Sequence, residues 1–357
     1  MSKSERIKLD NRLRLLIENG VKTNQRSIVA LVGEQGRNQV VHIHNILSKA
    51  NVKGRPSVLW CYKKELGFST HRKKRMKQLQ RQMTSGTMEV NESDPFELFI
   101  CATEIRWTYY KDTQKILGKT YDMLVLQDFE ALTPNLLART VETIAGGGLI
   151  IFLLKSQQSL KQLYTLTMDV HARYRTEAHA HIKPRFNERF IISLRNCSNA
   201  VFLDDRWNIL NICSSAVLNV KPMGKPEVSH ETLELAKIKD EMADTPPSGS
   251  VLALTRTFDQ ANAVLKFTEV IADKKFATTV SLTAGRGRGK SAALGLSVAL
   301  AVAYGYSNIF ITSPSPENLT TVFEFILAGL DALKYDKNND YDIIQSNQEE
   351  LKKCIVR

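Results

Sequence analysis

Two hydrophobic patterns alternate along the chain. Short continuous apolar runs recur at Ser27–Val32, Ser57–Tyr62, Met123–Leu126 and Leu149–Leu154, with a shorter one at Val201–Leu203. Runs of this length suit strands buried on both faces. Between them, Asn11–Gly20, Gln39–Lys49 and Asn135–Ala145 carry apolar residues at helical spacing. Thr133 reads as the N-cap of the last helix, Pro134 as its first position and Gly146-Gly147-Gly148 as its end. Glu97–Ala102 and Arg106–Tyr110 are apolar and aromatic, and Ser159–Arg195 is helical in pattern and rich in Arg and His. This strand–helix alternation predicts an α/β fold with a parallel sheet covered by helices. Val220–Ser229 reads as a linker, Glu231–Met242 as an acidic helix and Asp244–Gly249 as the clearest break. The expected division is a first domain over 1–200, a connecting segment over 201–245 and a second domain over 246–357.

The second domain repeats the alternation: a strand at Thr278–Leu282, a helix at Ser291–Tyr304, a strand at Asn308–Thr312 and a helix from Glu317 to about Leu333. Between the first strand and helix lies Thr283-Ala284-Gly285-Arg286-Gly287-Arg288-Gly289-Lys290-Ser291. That is the context a phosphate-binding P-loop requires. Glycines let consecutive backbone N–H groups turn inward on phosphates, and the helix N-terminus adds its positive end. Lys290 is placed to reach the β- and γ-phosphates of ATP, and Ser291 to hold Mg²⁺. Ala284, Gly285, Arg286, Gly287, Arg288 and Gly289, with Ala292 and Ala293 after them, complete the candidate cradle. The strict pattern begins with Gly where this chain has Ala284, which fits if that position keeps φ negative. Upstream, Gln260 opens a helix; it is placed to read an adenine edge and equally reads as an ordinary helix-start glutamine. No acid that could complete the Mg²⁺ site follows on a later strand between Leu333 and Arg357. The chain is therefore expected to be the front of a longer protein, binding nucleotide weakly and hydrolysing it poorly alone.

The first domain carries the same logic in damaged form. Ile28–Val32 leads into Gly33-Glu34-Gln35-Gly36-Arg37-Asn38-Gln39, which lacks the Lys-Ser pair, and Leu126-Gln127-Asp128 resembles an acid-ending strand. Asp204-Asp205 reads as a strand-end turn.

Charge sharpens the picture. The 357 residues have a net charge of +12. Lys53–Arg81 holds ten basic residues against Glu65 alone, so one segment supplies +9 of that charge. Arg72, Lys73, Lys74, Arg75 and Lys77 are its densest part and candidate RNA contacts; the run fits a nuclear import signal or a solvated face as well. Flanking Trp60 and Tyr62 lie in a strand-like run and read as core. The five cysteines form no C-x-x-C pair and read as reduced thiols. His171, His179 and His181 read as solvated rather than metal-bound. No apolar run is long enough to span a membrane, and the charged N-terminus lacks a signal core.

Five stretches carry a resemblance: YKKELGFSTHRKKR, LQDFEALTPNLLARTVET, DVHARYRTEAH, RFNERFIISL, and TAGRGRGKSAALGLS with GYSNIFITSPSPENL. They closely resemble the N-terminal part of the eukaryotic RNA cytidine acetyltransferase family. The resemblance implies a degenerate RecA-like N-terminal domain followed by the first part of a RecD-like P-loop ATPase domain. It implies use of ATP with Mg²⁺ and of acetyl-CoA, the latter bound by a domain these residues lack. It implies N4-acetylcytidine formation in small-subunit rRNA and tRNA, work with small-subunit pre-ribosome assembly factors, and a nucleolar location in the nucleus. It also allows a homodimer formed through other regions. Of the family's machinery it carries onto this chain only the P-loop. A non-catalytic RNA- or nucleotide-binding scaffold of ribosome assembly and a P-loop RNA helicase are the rival readings.

Overall fold

The computed structural model describes residues 9–51, 54–63, 95–155, 162, 177–179, 185–224, 227–275, 277–314, 318–345 and 354–356. The basic run from Arg72 to Lys77, with His171 and His181, lies outside them. The chain forms two compact units, Met1–Pro226 and Glu227–Arg357.

The first unit is built on six strands: β1 (Ser27–Val32), β2 (Val58–Tyr62), β3 (Ile105–Tyr109), β4 (Tyr121–Leu126), β5 (Ile144–Leu154) and β6 (Ala200–Asp204). Their order is β3-β2-β4-β5-β1-β6, and every pair is parallel. The helices of this unit are α1 (Asn11–Thr23), α2 (Gly36–Ala50), α3 (Pro95–Ala102), α4 (Pro134–Thr140), α5 (Arg185–Asn196) and the short α6 (Ser215–Leu218). All five residues of β2 are buried, as its unbroken apolar run requires. Trp60 and Tyr62 are core, as expected: Trp60 is wholly buried, stacks edge-on against Phe96 and donates its Nε1–H to Gln127 Oε1 at 3.2 Å. β5 lies between the loop-bearing strand β1 and the acid-ending strand β4. The unit fits a RecA-like fold.

The end of α1 is tied to the tail of the unit. Asn19 is buried, donates Nδ2–H to the Lys221 carbonyl at 2.7 Å and accepts from the Met223 N–H at 2.9 Å. At the other end Asp10 caps α1, accepting from the Arg12 N–H at 2.8 Å. The Arg12 guanidinium on the same carboxylate holds Asp10 below its ordinary carboxyl pKa.

One expected helix is shorter than its pattern. α4 ends at Thr140, a single 3-10 turn follows, and β5 begins at Ile144. The glycine triplet sits inside β5 and does not terminate a helix. Gly147 has φ +80°, and a Cβ on Gly148 would come 2.5 Å from the Asp122 carbonyl. The β4–β5 register shifts between Tyr121 and Met123, so the glycines serve a bulge where two backbones crowd.

The second unit contains α7 (His230–Met242), α8 (Ser248–Leu252), α9 (Phe258–Asp273), α10 (Lys290–Ala303), α11 (Leu319–Ala332) and an antiparallel ribbon of β7 (Ile343–Gln345) with β8 (Cys354–Val356). The acidic helix and the Pro246-Pro247 turn belong inside this unit, because Leu235 of α7 packs with Val251, Leu252 and Val264. The division therefore falls at Pro226, not at residue 245. Thr278–Leu282 and Asn308–Thr312 are not strands among the described residues. The second keeps a strand's alternation: Ile309 and Ile311 are half-buried while Phe310 is 91% exposed. A strand also needs a ladder partner, and among the described residues of this unit none lies alongside. No helix among the described residues is long and apolar enough to cross a membrane.

Candidate nucleotide-binding site

The site is the turn from Thr283 to Lys290. α10 begins at Lys290 with Gly289 at its N-cap, φ +77° and ψ 22°. Gly287 also has positive φ, +73°. An L side chain at either position meets its own carbonyl, so two of the glycines are there for backbone conformation. Gly285 differs: an added Cβ would meet only Arg288 Cγ, at 3.9 Å. Residues 283 to 288 are exposed, which brings Arg286 and Arg288 to the mouth of the turn. Behind it, Ala292 and Ala293 are buried, and Ala293 packs with the α7–α9 core. Their part in the cradle is confined to the backbone and to setting α10 against that core.

Lys290 reaches back over the loop. Its Nζ donates to the carbonyls of Ala284 at 2.6 Å and Gly285 at 2.7 Å. The cation is thus held above the turn by acceptors that a bound anion would replace. Gln260 stands beside the same turn. Its N–H donates to the Thr257 Oγ1 cap at 3.2 Å, and its Oε1 accepts from the Arg256 N–H at 2.9 Å. That leaves the Nε2 end of the carboxamide against Gly289. Ser291 sits half-buried in the first turn of α10, next to Lys290. The structure therefore brings Gln260, Ala284 to Gly289, Lys290 and Ser291 together.

The damaged loop of the first unit has a different occupant. Gly33 to Gln35 lead from β1 into α2; the Gly33 N–H donates to the Leu154 carbonyl at 3.0 Å, and the Asp205 carboxylate lies on the N–H groups of Glu34 and Gln35. Asp128, at the end of β4, has φ +55° and accepts from the Lys63 N–H at 3.0 Å. Glu130 pairs with Lys155 at 2.8 Å. Asp204-Asp205 is a strand-end turn, as expected, but the role of Asp205 went unseen. One signal pointed to it: α2 starts at Gln35-Gly36 with no acceptor of its own and no acid in its first turn. Orphan N–H groups at a helix start need a partner from elsewhere. Among the described residues, no group of His, Cys, Asp and Glu is arranged to hold a metal.

An α/β unit of RecA-like order and a glycine turn carrying Lys-Ser at a helix start fit the P-loop class. Residues 1–205 match the family described as tRNA(Met) cytidine acetyltransferase TmcA, N-terminal, and residues 281–357 match RNA cytidine acetyltransferase NAT10/TcmA, helicase domain. The chain is 59% identical over 355 residues to the RNA cytidine acetyltransferase of Homo sapiens, 55% over 353 to that of Saccharomyces cerevisiae and 48% over 355 to RNA cytidine acetyltransferase 1 of Arabidopsis thaliana. These alignments take in 98 to 99% of this chain and 33 to 35% of the relatives. The chain belongs to the RNA cytidine acetyltransferase family, and it spans about a third of the length of the curated relatives it matches.

Proposed function

We propose that this chain supplies the ATP-binding part of an RNA cytidine acetyltransferase. The observation that carries the reading is Lys290, held by two loop carbonyls above a turn whose Gly287 and Gly289 have positive φ. Those residues fit a nucleotide. Backbone N–H groups from Gly285 to Lys290 would take the phosphates, Lys290 would exchange its carbonyls for phosphate oxygens, and Ser291 would hold Mg²⁺. Bound there, ATP supplies a triphosphate whose cleavage can drive a change of shape. The chain's own contribution is to place a fixed cation and a row of N–H donors around it.

Acetyl-CoA, which the resemblance implies, we assign to a domain outside these residues. The names of the relatives support cytidine in RNA as the acceptor. With the resemblance, we extend this to N4-acetylcytidine in small-subunit rRNA and tRNA, to small-subunit assembly and to the nucleolus. ATP turnover here would serve to position the RNA. The basic segment that includes Arg72, Lys73, Lys74, Arg75 and Lys77 is the part of the sequence best charged to hold it.

The test is equilibrium binding of ATP with Mg²⁺ to the chain and to Lys290→Ala. Loss of one charge-assisted contact should weaken binding about 10- to 100-fold. Equal affinity in the two proteins would remove the site.

A further inference from the structure

The first unit's loop is built like a phosphate loop and is already filled. The Glu34 N–H donates to Asp205 Oδ2 at 3.1 Å, and the Gln35 N–H donates to Asp205 Oδ1 at 2.9 Å. Two oxygens of one carboxylate thus sit on two consecutive backbone N–H groups just ahead of α2, those of its N-cap Gln35 and of the residue before it. This is how such a turn holds an oxyanion. A Cβ on Gly33 would collide with the same carboxylate, so the glycine gives it room.

The delivery of Asp205 is also built. Asp204 Oδ1 accepts from the N–H of Arg206 at 2.9 Å and of Asn208 at 2.8 Å, and its Oδ2 accepts from Asn208 Nδ2 at 2.8 Å. Those bonds fold the end of β6 into a tight turn. Trp207, at φ +68°, is buried there edge-on to His42 of α2. Gln39, buried in the first turn of α2, donates its Nε2–H to the Asp204 carbonyl at 2.8 Å. Its Oε1 stays buried without a partner, so the contact to the turn is kept at the expense of an orphan acceptor. Asp205 is therefore fixed from both sides and is no wandering surface acid.

We propose that Asp205 is the resident anion of this loop. The first unit is a phosphate-loop unit occupied by its own carboxylate, and each chain takes one nucleotide, at Lys290, not two. The second half rests on the nucleotide reading given above; the first half stands without it.

The experiment is thermal unfolding of the whole chain and of Asp205→Ala in chloride, then with tens of millimolar sulfate or inorganic phosphate at matched ionic strength. In chloride, Asp205→Ala should melt about 2–4 °C lower, the shift expected for losing a helix-capping acceptor in a unit this size. With both proteins carrying Lys290→Ala, so that the second turn does not contribute, sulfate or phosphate should restore that loss in Asp205→Ala and give the chain that keeps Asp205 no comparable gain. Asp205→Asn, which keeps one acceptor, should fall between. Equal melting of Asp205→Ala and the parent, or a loss that neither anion restores, overturns the proposal. Should Asp205→Ala fail to fold, photolabelling of the parent chain and of Lys290→Ala with azido-ATP decides. The proposal requires no label on Gly33–Gln39 in either, and label there overturns it. A chain that binds no ATP at Lys290 while Asp205→Ala responds to sulfate would sink the nucleotide reading and leave the carboxylate assignment in place.

Discussion

The carboxamide of Gln260 rests on the backbone of Gly289, in space that any larger residue would need. Its Oε1 is engaged by the Arg256 N–H, so the side chain cannot swing away without losing a bond. Gly289 is also at φ +77°. Gly289→Ala should therefore suffer twice, about 1–2 kcal/mol from the left-handed backbone and a further collision with Gln260. We expect ATP affinity to drop at least tenfold, read by titration with a fluorescent nucleotide. Adding Gln260→Ala should return part of it, since only the collision is relieved, and a double-mutant cycle would measure that coupling. Simple additivity would show that the two residues do not meet.

Helices α10 and α11 approach through small residues. A Cβ on Gly295 would come 2.5 Å from the Val322 carbonyl and 2.8 Å from Phe325 Cβ, and one on Gly329 would come 2.6 Å from Ala299 Cβ. The first obstacle is backbone and cannot turn aside. Gly295→Ala should destabilise the second unit by about 1–3 kcal/mol in urea unfolding, in spite of alanine's better helix propensity. Gly285→Ala, where space is open, should change stability by less than about 0.5 kcal/mol.

Trp60 joins β2 to the end of β4 through Gln127. Trp60→Phe leaves a void and an unpaired acceptor at Gln127, and should cost about 2–4 kcal/mol of first-unit stability in denaturant unfolding. Gln127→Leu in that background should recover some of the loss, because the orphaned acceptor goes with it.

His44 is buried in α2, with its Nε2 3.0 Å from the Pro56 carbonyl. Burial pushes its pKa below the ordinary 6.5; nearby Arg55 pushes the same way, while the Pro56 carbonyl and Asp122 oppose. The unfolded chain therefore takes the proton first. This contribution to stability should be constant above about pH 7 and fall as the pH drops from 6.5 toward the folded value. His44→Gln should flatten that part of the stability curve, measured by urea midpoints from pH 5 to 8. An unchanged slope would show that another group sets it.

The sheet of the first unit was legible because parallel strands buried on both faces write themselves as unbroken apolar runs. Val58 to Tyr62 is the clearest case, and Leu149 to Leu154 is another. The Gly146–Gly148 triplet misled because glycine marks both a helix end and a bulge, and only the Asp122 backbone opposite tells them apart. Asn308 to Thr312 shows the reverse limit: the alternation of Ile309, Phe310 and Ile311 is written in the sequence, but a ladder depends on neighbours. The loop from Ala284 to Ser291 was readable because its donors and its cation are contiguous. Asp205 was not, because it meets Glu34 and Gln35 across 170 residues of chain.

The clamp on the tail of the first unit has a mechanical meaning. β6 ends the sheet: β1 pairs with one side of it, and the returning chain bridges the other at Leu203 and Ile209, with the Leu210 N–H on the Phe202 carbonyl at 2.9 Å. A pull applied directly at Asp204 would peel that edge one bond at a time. Asn19 grips Lys221 and Met223 from inside α1, so tension in the connecting chain enters through a buried carboxamide and a whole helix. That end strand is thereby taken out of the load path.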